Sequence, residues 1–193
     1  MIKSCISEIP GFMAGTWEID PLCSEITFVS RHFTFRKERG TFDRFRGIIM
    51  THDDFGRSWV TARIDASSIR TSRSGRDRRC RSARFLDVEQ FPDIDFESTA
   101  IHADGTRYYV EGGLTIRGIT RPTRLDIRRW CFIPDFDGRT RAHFWATSEI
   151  SRNDFGVGPK GALELLDNIL LLSDTVTVAL KVEAVLQRGW PAA

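Results

Sequence analysis

The sequence lacks nearly every local signal for a metal, a covalent catalyst or a membrane span. Its four cysteines, Cys5, Cys23, Cys80 and Cys131, form no CxxC pair and no zinc-ligand spacing. Its four histidines, His32, His52, His102 and His143, have no HxH or HxxxH partner, so ligands would have to converge from separate elements. No GxSxG elbow is present. Apolar runs are short, four residues at Ile169–Leu172, against the ~18 a spanning helix needs. The first fifteen residues are interrupted by Glu8, Pro10 and Gly11 and form no leader-type apolar core. These absences predict a soluble, cytoplasmic protein with reduced thiols and no cofactor or metal. Tyrosine and lysine are also scarce, two Tyr beside fourteen Phe and four Lys beside twenty-four Arg. Phenylalanine brings apolar area without a polar atom to satisfy, and arginine suits bidentate contact with phosphate or carboxylate.

What is present is strand pattern. At 193 residues the chain suits one domain, here 16–187, with an arm over 1–15 and a tail over 188–193. Alternation predicts strands at Trp17–Asp20, Ser24–Phe35, Thr41–Thr51, Trp59–Ala66, Ile94–Ile101, Arg107–Arg117, Thr123–Ile133, Arg139–Ile150 and Thr175–Leu186. Phe42 and Phe45 break strict alternation and suggest a bulge or bend. Turns are expected at 52–58, at Asp104-Gly105, over 118–122 and at Asp137-Gly138. Helix-like spacing occurs twice, at 76–84 and 162–168, and no βαβ alternation appears. The fold class is therefore all-β, an antiparallel meander closed as a barrel or folded as a sandwich. A barrel of about eight strands has room for one small ligand. Many inward positions here are Ala, Ser, Gly or Val, which leave space.

The segment between the strands at 59–66 and 94–101 exceeds twenty residues, far beyond an ordinary hairpin loop. From Arg70 to Arg84 it carries seven arginines against one acid, Asp77, while the whole chain has a net charge of only +2. Such a long basic connection reads as a lid or mouth for an anionic group. The cluster lacks the interleaved aromatics of single-strand binders, so nucleic acid is not expected. Contact with an anionic membrane surface would be weak, at about 1 kcal/mol per exposed arginine. Edge strands that need cover make a homodimer a further expectation.

The order of motifs resembles the YceI-like family of lipocalin-like barrels. The pieces are Trp17-Glu18-Ile19-Asp20-Pro21, Phe28-x-x-x-His32-Phe33, Gly40-x-Phe42, Phe45-x-Gly47, Ser68-Ile69-x-Thr71 and Arg76-Asp77. They continue with Arg81-Ser82-Ala83-x-Phe85-Leu86-Asp87-Val88, Phe91-Pro92-x-Ile94-x-Phe96-x-Ser98-Thr99 and Gly113 to Pro122. Ser151-Arg152-Asn153-Asp154-Phe155-Gly156-Val157 and Ser173-Asp174-x-Val176 follow, so the resemblance spans 16–186. It implies a single eight-stranded barrel that binds a polyisoprenoid or similar amphiphilic lipid. Two family histidines are replaced, by Cys23 and Arg79, and no polar or metal contact is carried over to those positions.

From this a ligand site is expected, with the apolar tail among Phe28, Val60, Ile64, Phe96, Leu114, Phe144 and Val178. The polar or anionic head would lie near Arg76, Asp77 and Arg152, with His32 and Phe155 adjoining. Structural readings stand beside these: Arg76 and Asp77 as a pair that fixes the insertion, the 152–156 stretch as a turn with Asp154 capping and Gly156 at positive φ, His32 as a core histidine. The leading function is a carrier of a long apolar ligand, a class that includes quinone-like molecules. A second is a cofactor-free cyclase or isomerase using Asp77, His32 or Asp154 as acid or base. A third is a redox sensor through Cys80, whose arginine neighbours are expected to depress its pKa.

Overall fold

The computed structural model describes residues 11–32, 37–104, 106–136, 138–158 and 172–187, with backbone alone for Arg31, His32 and Leu172. Among them are strands β1 (Gly15–Ile19), β2 (Glu25–His32), β3 (Lys37–Phe42), β4 (Phe45–Thr51), β5 (Trp59–Asp65) and β6 (Ile69–Thr71). After the helix α1 (Ser74–Arg81) come β7 (Asp93–Asp104), β8 (Arg107–Ile116), β9 (Ile119–Pro134), β10 (Thr140–Ser151) and β11 (Leu172–Leu186). Each strand pairs antiparallel with its neighbours, and β1 closes the sheet onto β11.

The eleven strands form eight staves. Strand β11 pairs with β2 over its first part and with β1 over its last, so β1 and β2 lie end to end. In the same way β3 and β4 make one broken stave, and β5 and β6 another. Aspartates punctuate these breaks by accepting from the backbone two residues on, as short polar side chains do in turns. Asp20 takes the amide of Leu22 at 3.0 Å, and Asp65 that of Ser67 at 2.8 Å. The strand expected over 41–51 accordingly starts earlier, at Lys37, and breaks between Phe42 and Phe45. Strand β6 lies inside what reads from sequence as a loop.

Two bulges reset the alternation. One between Ser98 and Ala100 on β7 lets Ile94, Phe96 and then Ile101 face inward. The other, on β9 opposite Trp145 and Ala146, turns Trp130 and Phe132 inward after Leu125 and Ile127. The turn expected over 118–122 is tighter. It needs only Arg117 (φ 52°) and Gly118 (φ 69°), the paired left-handed conformations of a two-residue hairpin, and Pro122 already lies in β9.

The helix runs over 74–81 rather than 76–84, because the chain folds back beneath it. The Leu86 amide donates to the Cys80 carbonyl at 2.9 Å, and Val88 to Arg81 at 3.1 Å. The expected helical stretch at 162–168 lies outside the described residues. Of the expected arm, Phe12 packs edge-on against Phe132 at 5.6 Å, so its last residues dock on the barrel.

Apolar side chains gather in two clusters. One centres on Trp17, Ile19, Ile26, Phe45, Phe132, Ala142 and Ala184. There the Trp17 indole donates to Thr51 Oγ1 at 2.8 Å, and Arg141 bridges Asp20, Asp135 and Glu183 on the outside. The other cluster, with Ala66, Ile69, Leu86, Ile94, Ile116 and Phe155, lies under the insertion.

Candidate functional site: a barrel cavity with arginines at one end

The barrel encloses a cavity of about 850 Å³ whose wall draws on both clusters. Alternation builds it. On β11, Val176, Val178, Leu180 and Val182 face in, and on β10 so do Phe144, Ala146, Ser148 and Ile150. Small residues keep it hollow where rings would otherwise collide. The Phe28 ring lies over Gly40, where an added Cβ would stand 2.3 Å from it, and the Phe96 ring lies over Gly112, where the gap would be 2.6 Å. Glycine thus lets an aromatic lie flat along the wall.

Ten of the twelve expected site residues line this space: Phe28, Val60, Ile64, Phe96, Leu114, Phe144 and Val178, with Arg76, Arg152 and Phe155. Asp77 does not. Its carboxylate accepts from the Thr71 amide at 2.7 Å and the Thr71 hydroxyl at 2.6 Å, joining β6 to α1. Those hydrogen bonds, aided by nearby arginines, hold Asp77 below the usual aspartate range. The side chain of His32 lies outside the described residues.

The charged part of the wall is arginine-rich. Arg76 makes a two-pronged pair with Glu38 from β3, Nη2 to Oε1 at 3.1 Å and Nη1 to Oε2 shorter still. Glu38 is the sole carboxylate on the wall among the described residues, so the charge of Arg76 is already matched. Arg73 and Arg79 are exposed yet line the cavity, marking where it meets solvent, and have no acidic partner among the described residues. Arg152 donates to the carbonyls of Val157 at 2.8 Å and Ser173 at 3.2 Å, so it also braces the turn after β10.

The turn combines features of both readings, with Arg152 and Phe155 on the cavity wall and a backbone held by local hydrogen bonds. Gly156 sits at φ 64°, but the capping acid is Asp174, which accepts from the Asn153 amide at 3.0 Å and the Ser151 hydroxyl at 2.9 Å. Asp154 is exposed and off the wall. Arg117 ties the turn to the insertion by donating to the carbonyls of Phe85 at 2.7 Å and Gly156 at 3.0 Å. Phe85, Leu86 and Phe155 thereby roof part of the cavity.

Cys80 lines the cavity, and its thiol behaves opposite to expectation. Burial pushes its pKa up and outweighs Arg76, Arg79 and Arg81. Sequence reasoning did not place Ser30, Glu38, Tyr108 or Trp130 at the site. The inward turn of Trp130 follows from a bulge that alternation alone does not reveal. Among the described residues no three metal-binding side chains converge, and no helix is long and apolar enough to cross a membrane.

A family profile for the YceI-like domain matches residues 17–184, all but the first two and last two residues of the barrel strands. The chain belongs to the YceI-like family. A UPF0312 protein of Serratia proteamaculans is 35% identical over 133 residues, 68% of this chain and 69% of that protein. Protein YceI of Salmonella newport is 33% identical over 134 residues, 68% of this chain and 70% of that one. Among solved structures, Burkholderia cenocepacia BcnA superimposes with a TM-score of 0.72 at 21% identity, covering 86% of this chain and 98% of BcnA. A polyisoprenoid binding domain from Saccharophagus degradans, implicated in plant cell wall breakdown, gives 0.66 at 20% identity over 91% of this chain and 100% of the domain. At such identities these two show the shared fold. At the two positions where the resemblance leads one to expect histidines lie the exposed Cys23, beside the Asp20 turn, and the cavity-lining Arg79.

Proposed function

We propose that the protein binds and carries a long apolar ligand of polyisoprenoid or similar amphiphilic type, with its tail in the barrel and an anionic or polar head among Arg73, Arg76 and Arg79. The observation that carries this reading is the cavity of about 850 Å³, apolar along its wall and arginine-bearing where it meets solvent. That volume falls within the roughly 300–1,000 Å³ of small-molecule sites. Burial at about 25 cal/mol per Å² makes an extended hydrocarbon tail the main source of affinity. The same fold in a polyisoprenoid binding domain from Saccharophagus degradans supports the same class.

The cyclase or isomerase reading is weaker. Two of its acid/base candidates are off the wall, Asp77 bonded to Thr71 and Asp154 exposed. The carboxylate that is on the wall, Glu38, is paired with Arg76. The test is native mass spectrometry of delipidated protein incubated with a total lipid extract. The expected result is a one-to-one adduct with the mass of a long-chain amphiphile. No adduct, or adducts only of water-soluble compounds, would sink the proposal.

A further inference from the structure

Two hydroxyls stand out on the cavity wall. Ser30 on β2 and Ser148 on β10 are 8% and 5% exposed. Both line the cavity, and neither hydroxyl has a hydrogen-bond partner among the described residues. The register places them on one wall with β11 between, Ser30 opposite Val176 and Ser148 opposite Val178. At about 4.8 Å per strand they are roughly 10 Å apart across the sheet, so one small group cannot bridge them. Ser148 is flanked on its own strand by Ala146 and Ile150, with Val178 across. Ser30 sits opposite Glu38, whose carboxylate is engaged by Arg76.

A buried hydroxyl without a partner is costly, whereas the alanine that β10 carries at 146 fills such a position freely. We propose that Ser30 and Ser148 are hydrogen-bonding positions for oxygen atoms carried along the ligand itself. The barrel then takes an apolar chain bearing carbonyl, hydroxyl or ether oxygens in preference to a plain hydrocarbon tail. This rests on the carrier reading and narrows it, from a plain polyisoprenoid tail to a similar amphiphile with oxygens along its chain. A serine hydroxyl both donates and accepts, so the ligand oxygen need not be charged. An oxygen out of register with both serines is buried unpaired and weakens binding, so selection depends on position along the chain.

The test uses octadecanoate and a series of keto-octadecanoates with the ketone moved along the chain, titrated calorimetrically into wild type, Ser30→Ala and Ser148→Ala. One or two keto positions should bind about two- to tenfold more tightly than octadecanoate to wild type, the range for one neutral hydrogen bond. Ser148→Ala should erase the advantage of one isomer and Ser30→Ala that of another, with octadecanoate bound no less tightly than by wild type because its plain tail no longer buries an unpaired hydroxyl. Both variants should melt no lower than wild type, because each removes an unpaired hydroxyl. Keto isomers all weaker than octadecanoate, with no isomer-specific effect of either alanine, would mean the serines hold water only and would overturn the inference while leaving the carrier intact. A lowered melting temperature in both variants would overturn it too, showing the hydroxyls satisfied within the protein. Failure of octadecanoate and of every keto isomer to bind would overturn the carrier reading and this inference together.

Discussion

Neutralising Arg73 and Arg79 separates the head-group contribution from that of the tail. Both side chains are exposed and lie where the cavity meets solvent, so each acts on a bound anion through a water-like dielectric. A unit charge at about 4 Å in such a medium contributes about 1 kcal/mol. Arg73→Gln and Arg79→Gln should each weaken a prenyl phosphate about fivefold, and the pair about 25-fold. A prenyl alcohol with the same tail should bind all variants alike. The phosphate effect should fade in 1 M salt, where the screening length is about 3 Å. Arg76 behaves differently because Glu38 already matches its charge. Glu38→Gln keeps an acceptor oxygen for Arg76 but removes the negative charge, so it should tighten phosphate binding by roughly fivefold or more. The assay is the dissociation constant of geranylgeranyl phosphate against geranylgeraniol, at low and high salt. An equal loss for alcohol and phosphate, or a Glu38→Gln variant that binds the phosphate less well, would refute the arrangement.

Asp77→Asn should cost about 1 kcal/mol of stability near neutral pH by weakening the two hydrogen bonds from Thr71. Because those bonds lower the folded-state pKa below 3.8, the stabilisation is complete above the unfolded value and is lost as pH falls through the folded one. Wild type and variant melting curves should therefore begin to converge only as pH falls below about 4, with lipid binding kept in both. Gly112→Val places a Cβ 2.4 Å from the Glu97 carbonyl and 2.6 Å from the Phe96 ring. It should lower stability by roughly 1–3 kcal/mol in denaturant unfolding and push the ring into the ligand space, weakening tail binding. Exposed Cys23 should react with iodoacetamide well before Cys80, whose thiol pKa is raised chiefly by burial, and bound ligand should slow Cys80 further. Peptide mapping after timed alkylation checks this, and early loss of Cys80 would restore the sensor reading.

Much of the wall was readable from period-two patterning. Val176, Val178, Leu180 and Val182 alternate cleanly with Thr177, Ala179 and Lys181, and the structure turns the first set inward. The same logic placed Phe28, Val60, Ile64 and Phe144. It lost its way at Trp130, because a bulge shifts parity by one residue and leaves no local mark. Asp77 illustrates a different limit. An acid beside Arg76 suggests a paired head-group site, yet adjacent residues on a helix face different ways. Arg76 reaches Glu38 on β3 while Asp77 reaches back to Thr71.

By itself the amino-acid order determined the antiparallel strands and which small and aromatic residues share a face. Those follow from local stereochemistry, in which alternate side chains must face opposite sides of a strand, whereas the choice of barrel over sandwich rested on the order of motifs shared with the family. Tertiary structure alone decided which arginine pairs with Glu38 and, among the described residues, which line the cavity without an acidic partner and which two serines lie buried without partners. Such facts depend on what closure of the sheet brings opposite each residue. Glu38 is 38 residues from Arg76, and Ser30 and Ser148 meet the same cavity only because β11 lies between them.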